Sequence, residues 1–320
     1  MESLGRVGGK EMATISTGTR TLDALMDGGL KTKVPTILFG IPDLGKTWFC
    51  FQMACMCTRP PSKGGLGKKV LYLDTESFFF TEDTRERFLN YFKKRWPDID
   101  EKKLEIVCVE DIYELGKLFG IVFEIRVSEA RITVDAKFPT ARQIQLASKG
   151  KSQLKETLRD AKWYEHAPLF KKLSSGEYGL VIIDSITVPI KSVIPTQTQN
   201  FPARTSILTT LLGAAYAFAK KFDVAFLITN HITRSPMSPG YRYGVGDPWG
   251  GQNIIYYVKH IFGLYRPLKD QVQKYAPDGH RVRRFERYRY PGLEREVTAV
   301  MLAKNLGYVD LPSGGAKSAT

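Results

Sequence analysis

Eight consecutive residues, 40–47, have the types and the spacing of a phosphate-binding loop. They read GIPDLGKT, which fits the pattern G-x-x-x-x-G-K-[ST], and they follow a short apolar run at 36–39. In such a loop the backbone N–H groups turn toward phosphate oxygens, Lys46 reaches the outer phosphates, and Thr47 offers its hydroxyl to Mg²⁺. The predicted nucleotide-binding residues are Gly40, Ile41, Pro42, Asp43, Leu44, Gly45, Lys46, Thr47 and Trp48. Leu44 departs from many such loops because it is bulky where they carry a small residue.

Two acids at the ends of apolar runs would complete this chemistry. Asp184 follows the aliphatic residues 180–183 and is the expected carboxylate for Mg²⁺, together with Thr47. Glu76 follows the run 71–73 and is the candidate base that orients or deprotonates water during hydrolysis. The alternative for Glu76 is an acid that only caps a loop.

Three polar residues, Thr229, Asn230 and His231, follow a third apolar run at 224–228. His231 is one of only four histidines in the chain. These side chains could cap the edge of a sheet, or they could contact a charged ligand.

The elements that would position these residues follow from hydrophobic patterning. Continuous apolar runs at 36–39, 70–73, 104–109, 179–183 and 224–228 are typical of strands buried on both faces of a mostly parallel sheet. Helical patterns at 47–57, 84–96, 113–127 and 206–222 lie between them. After Gly251, the runs 261–266, 282–288 and 298–303 predict closing antiparallel strands. Residues 129–172 do not fit this alternation and are a possible insertion.

Composition limits the class of protein. A chain of 320 residues with 43% hydrophobic residues can form one large α/β domain or two small ones. Its net charge of +14 favours a polyanionic partner. The four cysteines do not form a disulfide pattern and predict reduced thiols. No secretion signal or membrane-spanning run is apparent, so no membrane partner and a cytoplasmic location are expected.

Taken in order, these motifs resemble those of the RecA/RadA recombinase family. The resemblance rests on residues 15–23 with Gly28-Gly29-Leu30, on Asp74-Thr75-Glu76, on Ala203-Arg204, on Thr229-Asn230-His231 and on the run 250–255. It implies a RecA-like P-loop ATPase core that uses ATP and Mg²⁺, with Lys46, Glu76 and His231 as catalytic residues. His231 stands where the family usually has a glutamine, which implies a γ-phosphate sensor. A histidine bonded to a neighbouring loop is the alternative.

Departures from the family point to a recombinase paralogue, most like those of archaea. About fourteen residues precede Ile15, which predicts a chain without the family's N-terminal helical domain and its subunit-docking segment. Arg289 aligns with the family's aspartate that caps a neighbour's ATP. The expected organisation is a short arm (1–14), a RecA-like ATPase domain (15–312, with the possible insertion at 129–172) and a C-terminal tail (313–320). A homo-oligomer remains possible, but a self-assembled filament is less expected.

Basic residues mixed with aromatic ones predict contacts with single-stranded or double-stranded DNA. The predicted DNA-binding residues are Arg204, Arg234, Tyr241, Arg242 and Tyr243. A surface loop without a ligand is the alternative. A further arginine-rich stretch at 281–289 predicts either a subunit boundary or a DNA track.

The expected function is therefore that of a slow, DNA-dependent ATPase in recombinational repair. The main recombinase or another paralogue is a further expected partner. The alternative is a nucleotide-gated assembly or signalling ATPase of the same superfamily, whose partners are proteins rather than DNA. A ring helicase is disfavoured because no second domain is apparent.

Overall fold

The computed structural model describes residues 11–128, 131–137, 165–233, 246–268, 282–303 and 305–312. The strands are β1 (Thr14–Ile15), β2 (Leu30–Lys31), β3 (Pro35–Phe39), β4 (Lys69–Asp74), β5 (Leu104–Cys108), β6 (Val122–Val127), β7 (Ile132–Lys137), β8 (Tyr178–Asp184), β9 (Ala225–Asn230), β10 (His260–Tyr265), β11 (Val282–Arg289), β12 (Glu296–Ala303) and β13 (Gly307–Val309). The helices are α1 (Arg20–Leu25), α2 (Lys46–Thr58), α3 (Glu82–Arg95), α4 (Ile112–Leu118), α5 (Pro168–Ser174), α6 (Thr187–Val193), α7 (Phe201–Phe222) and α8 (Gln252–Tyr257).

One nine-stranded sheet, in the order β13-β12-β11-β10-β3-β9-β8-β4-β5, forms the frame of the molecule. The strands from β10 to β5 are parallel, and β11, β12 and β13 add antiparallel at one edge. Every residue of β3, β8 and β9 is buried, as continuous apolar runs predict for central strands covered on both faces. The predicted mostly parallel α/β sheet with antiparallel closing strands, a RecA-like core, is confirmed.

Helices cover both faces of this sheet. Phe49 of α2 and Phe92 of α3 belong to one apolar core, while Leu115 of α4, Ile190 of α6 and Phe218 of α7 belong to the other. Burying each large side chain of this kind stabilises the folded state by about 1.5–3 kcal/mol. The two cores pack against both faces of the central strands, so the carboxyl ends of those strands are held in fixed positions.

The helix predicted over 113–127 is wrong in its second half. The helix α4 ends at Leu118, Gly120 follows with φ 74°, and residues 122–127 form β6, which pairs antiparallel with β7. A Cβ at Gly116 would lie 2.9 Å from the carbonyl oxygen of Ile121, so the chain turns back tightly over the end of the helix. The alternating pattern of Val122 to Val127 suits a half-exposed strand, and that local period overrides the longer helical one.

The proposed division into arm, domain and tail stays a prediction. Residues 1–10 and 313–320, and most of the possible insertion at 129–172, lie outside the described residues. Among the residues that the structure does describe, no helix has both the length and the apolar character needed to cross a bilayer.

Candidate active site

The carboxyl ends of the central strands bring the distant motifs together. The phosphate loop follows β3, Glu76 follows β4, Asp184 ends β8 and His231 follows β9. Ligands of open α/β sheets bind at this edge because the loops that leave the strands diverge there. One cleft is lined by Pro42, Asp43, Gly45, Lys46, Thr47, Trp48, Glu76, Phe78, Asp184, His231 and Leu302. The remaining predicted loop residues, Gly40, Ile41 and Leu44, do not line the cleft, and the side chains of Ile41 and Leu44 are buried.

Two glycines of the loop have no room for a side chain. A Cβ at Gly40 would lie 2.6 Å from the carbonyl oxygen of Leu264 on β10. A Cβ at Gly45, which has φ 101°, would lie 2.7 Å from the hydroxyl of Tyr308. The backbone therefore runs close against the sheet at both positions, and Gly45 in this left-handed conformation starts α2. Close backbone packing followed by a helix N-terminus is the geometry that a phosphate cradle requires.

Side chains from the antiparallel edge hold the loop from behind. The Tyr308 hydroxyl donates to the carbonyl oxygens of Leu44 at 3.0 Å and of Gly45 at 3.2 Å. Arg283 Nε donates to the same Leu44 oxygen at 2.9 Å. These hydrogen bonds satisfy loop carbonyls and stabilise the conformation of the loop. The bulky Leu44 is accommodated because its side chain is buried in the core.

Neither Arg283 nor Tyr308 was among the predicted site residues. The arginine-rich stretch at 281–289, expected at a subunit boundary or on a DNA track, makes contacts within its own chain at three positions. Arg283 contacts the loop, Arg284 donates to the carbonyl oxygen of Arg266, and the buried Arg287 donates to the carbonyl oxygen of Leu25. These three arginines satisfy backbone carbonyls of their own chain. The cluster of arginines is apparent in the sequence, but the sequence does not show which carbonyl oxygens these arginines bond.

Lys46 lies within the loop. It is buried, and Nζ donates to the carbonyl oxygens of Gly40 at 3.2 Å and Ile41 at 3.0 Å. Burial lowers the pKa of Lys46, while the negative charges of Asp184 and Glu76 act in the opposite direction. A buried ammonium that donates to two neutral carbonyls is suited to exchange them for anionic oxygens, because charge-assisted hydrogen bonds are stronger.

Asp184 is held by donors at the floor of the cleft. Its carboxylate accepts from the Tyr72 hydroxyl at 2.7 Å and from Thr229 Oγ1 at 2.5 Å. Burial raises the pKa of Asp184, and hydrogen bonds from Thr229, Tyr72 and Thr47 oppose that rise. A divalent cation would favour the ionised form. A carboxylate and a hydroxyl are hard oxygen donors of the kind that Mg²⁺ accepts alongside substrate phosphates.

No cluster of three or more His, Cys, Asp or Glu side chains suited to a metal occurs in the described part of the chain. Asp184 and Thr47 could thus contribute only part of a coordination shell. That partial set fits a magnesium ion bound together with phosphates rather than one in an all-protein cage.

The two acids after β4 have different positions. The Asp74 carboxylate accepts from the backbone N–H groups of Glu76 at 3.1 Å and of Phe79 at 2.8 Å. Asp74 therefore caps the loop that follows β4. The Glu76 side chain lines the cleft, where His231 lowers the pKa of its carboxyl against the opposing effect of burial, and Ser185 and Lys46 lower it further.

The three polar residues after β9 differ in their contacts. Thr229 bonds Asp184, and Asn230 Nδ2 donates to the Trp249 carbonyl oxygen at 2.9 Å, so these two side chains have structural partners. The His231 ring faces the cleft with Nε2 at 3.7 Å from Oε1 of Glu76, too long for a direct hydrogen bond. On its other side Nδ1 lies 3.2 Å from Nζ of Lys191.

Of the five residues predicted to bind DNA, only Arg204 lies in the described part of the chain. Arg204 is 6% exposed, donates to the carbonyl oxygen of Gln197 at 3.1 Å and lies 5.8 Å from the Trp249 ring centroid. In this conformation the guanidinium of Arg204 therefore has partners within the chain, and its role in DNA binding stays a prediction. The other four residues, Arg234, Tyr241, Arg242 and Tyr243, lie outside the described residues.

The backbone segments just before and just after residues 234–245 lie side by side. Ile232 pairs with Pro248, Thr233 N donates to the Asp247 carbonyl oxygen at 3.0 Å, and Trp249 N donates to that of His231 at 2.8 Å. Backbone hydrogen bonds therefore join the segment 231–233 to the segment 247–249.

Parts of the chain are similar to known proteins. Residues 9–109 match the family model described as Rad51. The chain is 27% identical over 222 residues to the DNA repair and recombination protein RadA of Aeropyrum pernix, an alignment that covers 69% of this chain and 54% of RadA. The chain thus spans about half the length of that relative. The Rad51 match includes the phosphate loop and Glu76 and ends before Asp184 and His231.

Proposed function

We propose that the chain is a member of the RecA/RadA family and a Mg²⁺-dependent ATPase that binds DNA and acts in homologous recombination and repair. Its similarity to the Rad51 family model over residues 9–109 and to RadA supports this assignment. The observation that carries this proposal is the convergence of the phosphate loop, Asp184, Glu76 and His231 in one cleft. These motifs are up to 191 residues apart (231 − 40 = 191), so their meeting at the carboxyl edge of the sheet depends on the whole fold.

Each residue has a role that its position allows. The loop N–H groups and Lys46 bind the phosphates, with Lys46 leaving the carbonyls of Gly40 and Ile41 to do so. Thr47 and Asp184 would hold Mg²⁺, which neutralises charge on the phosphates when bound. The ionised Glu76 orients water and accepts its proton, and His231 beside it contacts the terminal phosphate.

Within the family, we assign the chain to the paralogues that assist or regulate a main recombinase. Three features support this role: a histidine where the family usually has glutamine, Arg289 at the position of the ATP-capping aspartate, and only 27% identity to the matched RadA. A changed sensor and a changed cap favour slow turnover and assembly with a partner. The net charge of +14 supports DNA as a ligand.

The test is ATP turnover with and without single-stranded DNA, together with DNA binding across a salt series. We expect DNA to bind at moderate salt, with affinity that falls steeply as salt rises because counterions are released from phosphates. We also expect DNA to increase turnover. Intact hydrolysis without DNA binding would overturn the repair role and favour the assembly or signalling ATPase whose partners are proteins.

Replacing Tyr308 by phenylalanine tests the support of the loop from the antiparallel edge. The change removes the hydroxyl that bonds Leu44 and Gly45 while it preserves the buried ring. At about 1 kcal/mol for a lost hydrogen bond, we expect nucleotide affinity to fall roughly fivefold. The measurement is titration with a fluorescent ATP analogue.

Tyr178→Phe is the matched control. The Tyr178 hydroxyl also donates one hydrogen bond, to Glu105, but it lies at the start of β8, whereas the cleft is at the end of that strand. Its nucleotide affinity should equal that of the unaltered chain. An equal affinity in Tyr308→Phe would show that the loop does not depend on this hydroxyl.

A further inference from the structure

The His231 ring lies between two charged side chains of opposite sign. Its Nε2 is 3.7 Å from Oε1 of Glu76, and its Nδ1 is 3.2 Å from Nζ of Lys191 on α6. The Lys191 contact is within hydrogen-bond distance, whereas the Glu76 contact is not. Of the two side chains, Lys191 therefore has the stronger influence on which ring nitrogen of His231 carries a proton.

The chemistry of the partners selects one form of the imidazole. A lysine ammonium has three donors and no acceptor, so Nδ1 must accept the Lys191 hydrogen bond. An accepting Nδ1 carries no proton, which leaves the ring neutral with its proton on Nε2. That N–H then points toward the Glu76 carboxylate, which can only accept. Both neighbours favour the same tautomer.

Lys191 is held at this position by contacts other than a carboxylate. Nζ lies 5.5 Å from the Trp249 ring centroid, and Arg204 lies against the same ring at 5.8 Å. No salt bridge to Lys191 is present in the described part of the chain. Burial lowers the pKa of Lys191, and so do the positive charges of Arg204 and Lys46, which makes its ammonium a stronger hydrogen-bond donor.

We propose that Lys191 is a positioning residue that holds His231 in the neutral tautomer with its proton on Nε2, so that the ring presents a hydrogen-bond donor to the cleft. A glutamine at this position would present a donor through its amide without such help. In an imidazole without such a partner either nitrogen can carry the proton, so the ring does not always present a donor to the cleft. The tautomer follows from the contacts alone, and only its consequence for hydrolysis rests on the proposed function.

The direct test is nitrogen NMR of protein labelled in its histidines, since protonated and bare ring nitrogens resonate in distinct regions. Comparison with His231→Gln identifies the His231 signals. We expect a bare Nδ1 and a protonated Nε2 in the unaltered chain and in Lys191→Arg, because arginine is also only a donor. In Lys191→Met only the more distant Glu76 carboxylate remains, so the tautomer with its proton on Nδ1 should appear beside the other one.

Lys191→Glu makes the sharpest prediction. A carboxylate accepts but cannot donate when ionised, so Nδ1 should carry a proton in this variant. Lys220→Glu, the same charge change at the exposed end of α7, should leave Nδ1 bare. A proton on Nδ1 in the unaltered chain, or a bare Nδ1 in a folded Lys191→Glu protein, would overturn the proposal. If Lys191→Glu does not fold, a tautomer identical in Lys191→Met and Lys191→Arg would overturn it.

Hydrolysis supplies a second and separate readout. We expect Lys191→Met to lose at least about tenfold in turnover while nucleotide affinity stays within about twofold, because Lys191 does not line the cleft. Lys191→Arg should recover most of the rate. Equal losses in both variants would contradict the positioning role. If the unaltered chain hydrolyses no ATP, the proposed function fails, while the NMR result still decides the tautomer.

Discussion

Replacing Lys46 by alanine is expected to abolish ATP binding at working concentrations. The buried ammonium is the cation of the phosphate loop, and its present partners are two neutral carbonyl oxygens, of Gly40 and Ile41. A hydrogen bond between charged groups contributes about 1.5–3 kcal/mol, and Lys46 would make more than one such contact to the phosphates. The expected loss is at least about a hundredfold in affinity, since each 1.4 kcal/mol is a factor of ten.

Calorimetry or fluorescent-nucleotide titration measures this loss directly. Lys63→Ala is the matched control, because Lys63 is exposed beyond the opposite end of α2 and the same side chain is removed. Thermal unfolding without nucleotide checks that Lys46→Ala remains folded. Nucleotide affinity within a few fold of the unaltered chain would show that the cleft is not an ATP site built around Lys46.

Replacing Glu76 by glutamine is expected to separate binding from hydrolysis. The amide keeps the shape of the side chain, so the loop, Lys46 and Asp184 are untouched and ATP should still bind. Loss of the base should reduce turnover by about 10²–10⁴-fold, the usual contribution of general acid–base catalysis. Single-turnover measurement of phosphate release is the appropriate assay, because residual rates will be low.

The environment of Glu76 adds a pH signature. His231 lowers the pKa of this carboxyl, so Glu76 stays ionised below the pH at which an ordinary glutamate gains its proton. Turnover should therefore persist into that acidic range and decline as pH falls through the lowered pKa. Glu82→Gln, the same change at an exposed residue of α3, should leave turnover unchanged. Normal hydrolysis by Glu76→Gln would identify another group as the base.

Local patterns in the sequence predicted the parts of the site that depend on neighbouring residues. The run GIPDLGKT between a strand and a helix specifies its own backbone geometry, with Gly45 in the left-handed conformation. Asp184, Glu76 and His231 were recognisable because each closely follows an apolar run, and parallel strands bring such ends to one edge. The alternation that marks β6 was also present, but the longer helical pattern concealed it.

Only the tertiary structure decided which side chains meet. Tyr308 bonds loop carbonyls 264 and 263 residues away, and Arg283 bonds one 239 residues away. Lys191 meets His231 across 40 residues, and Arg204 turns inward to Trp249. Backbone conformation follows from local sterics and hydrogen bonding, so short patterns reveal it. The partner of a long side chain depends on which elements pack together, and that is determined only when the whole sheet and its helices have closed around a common core.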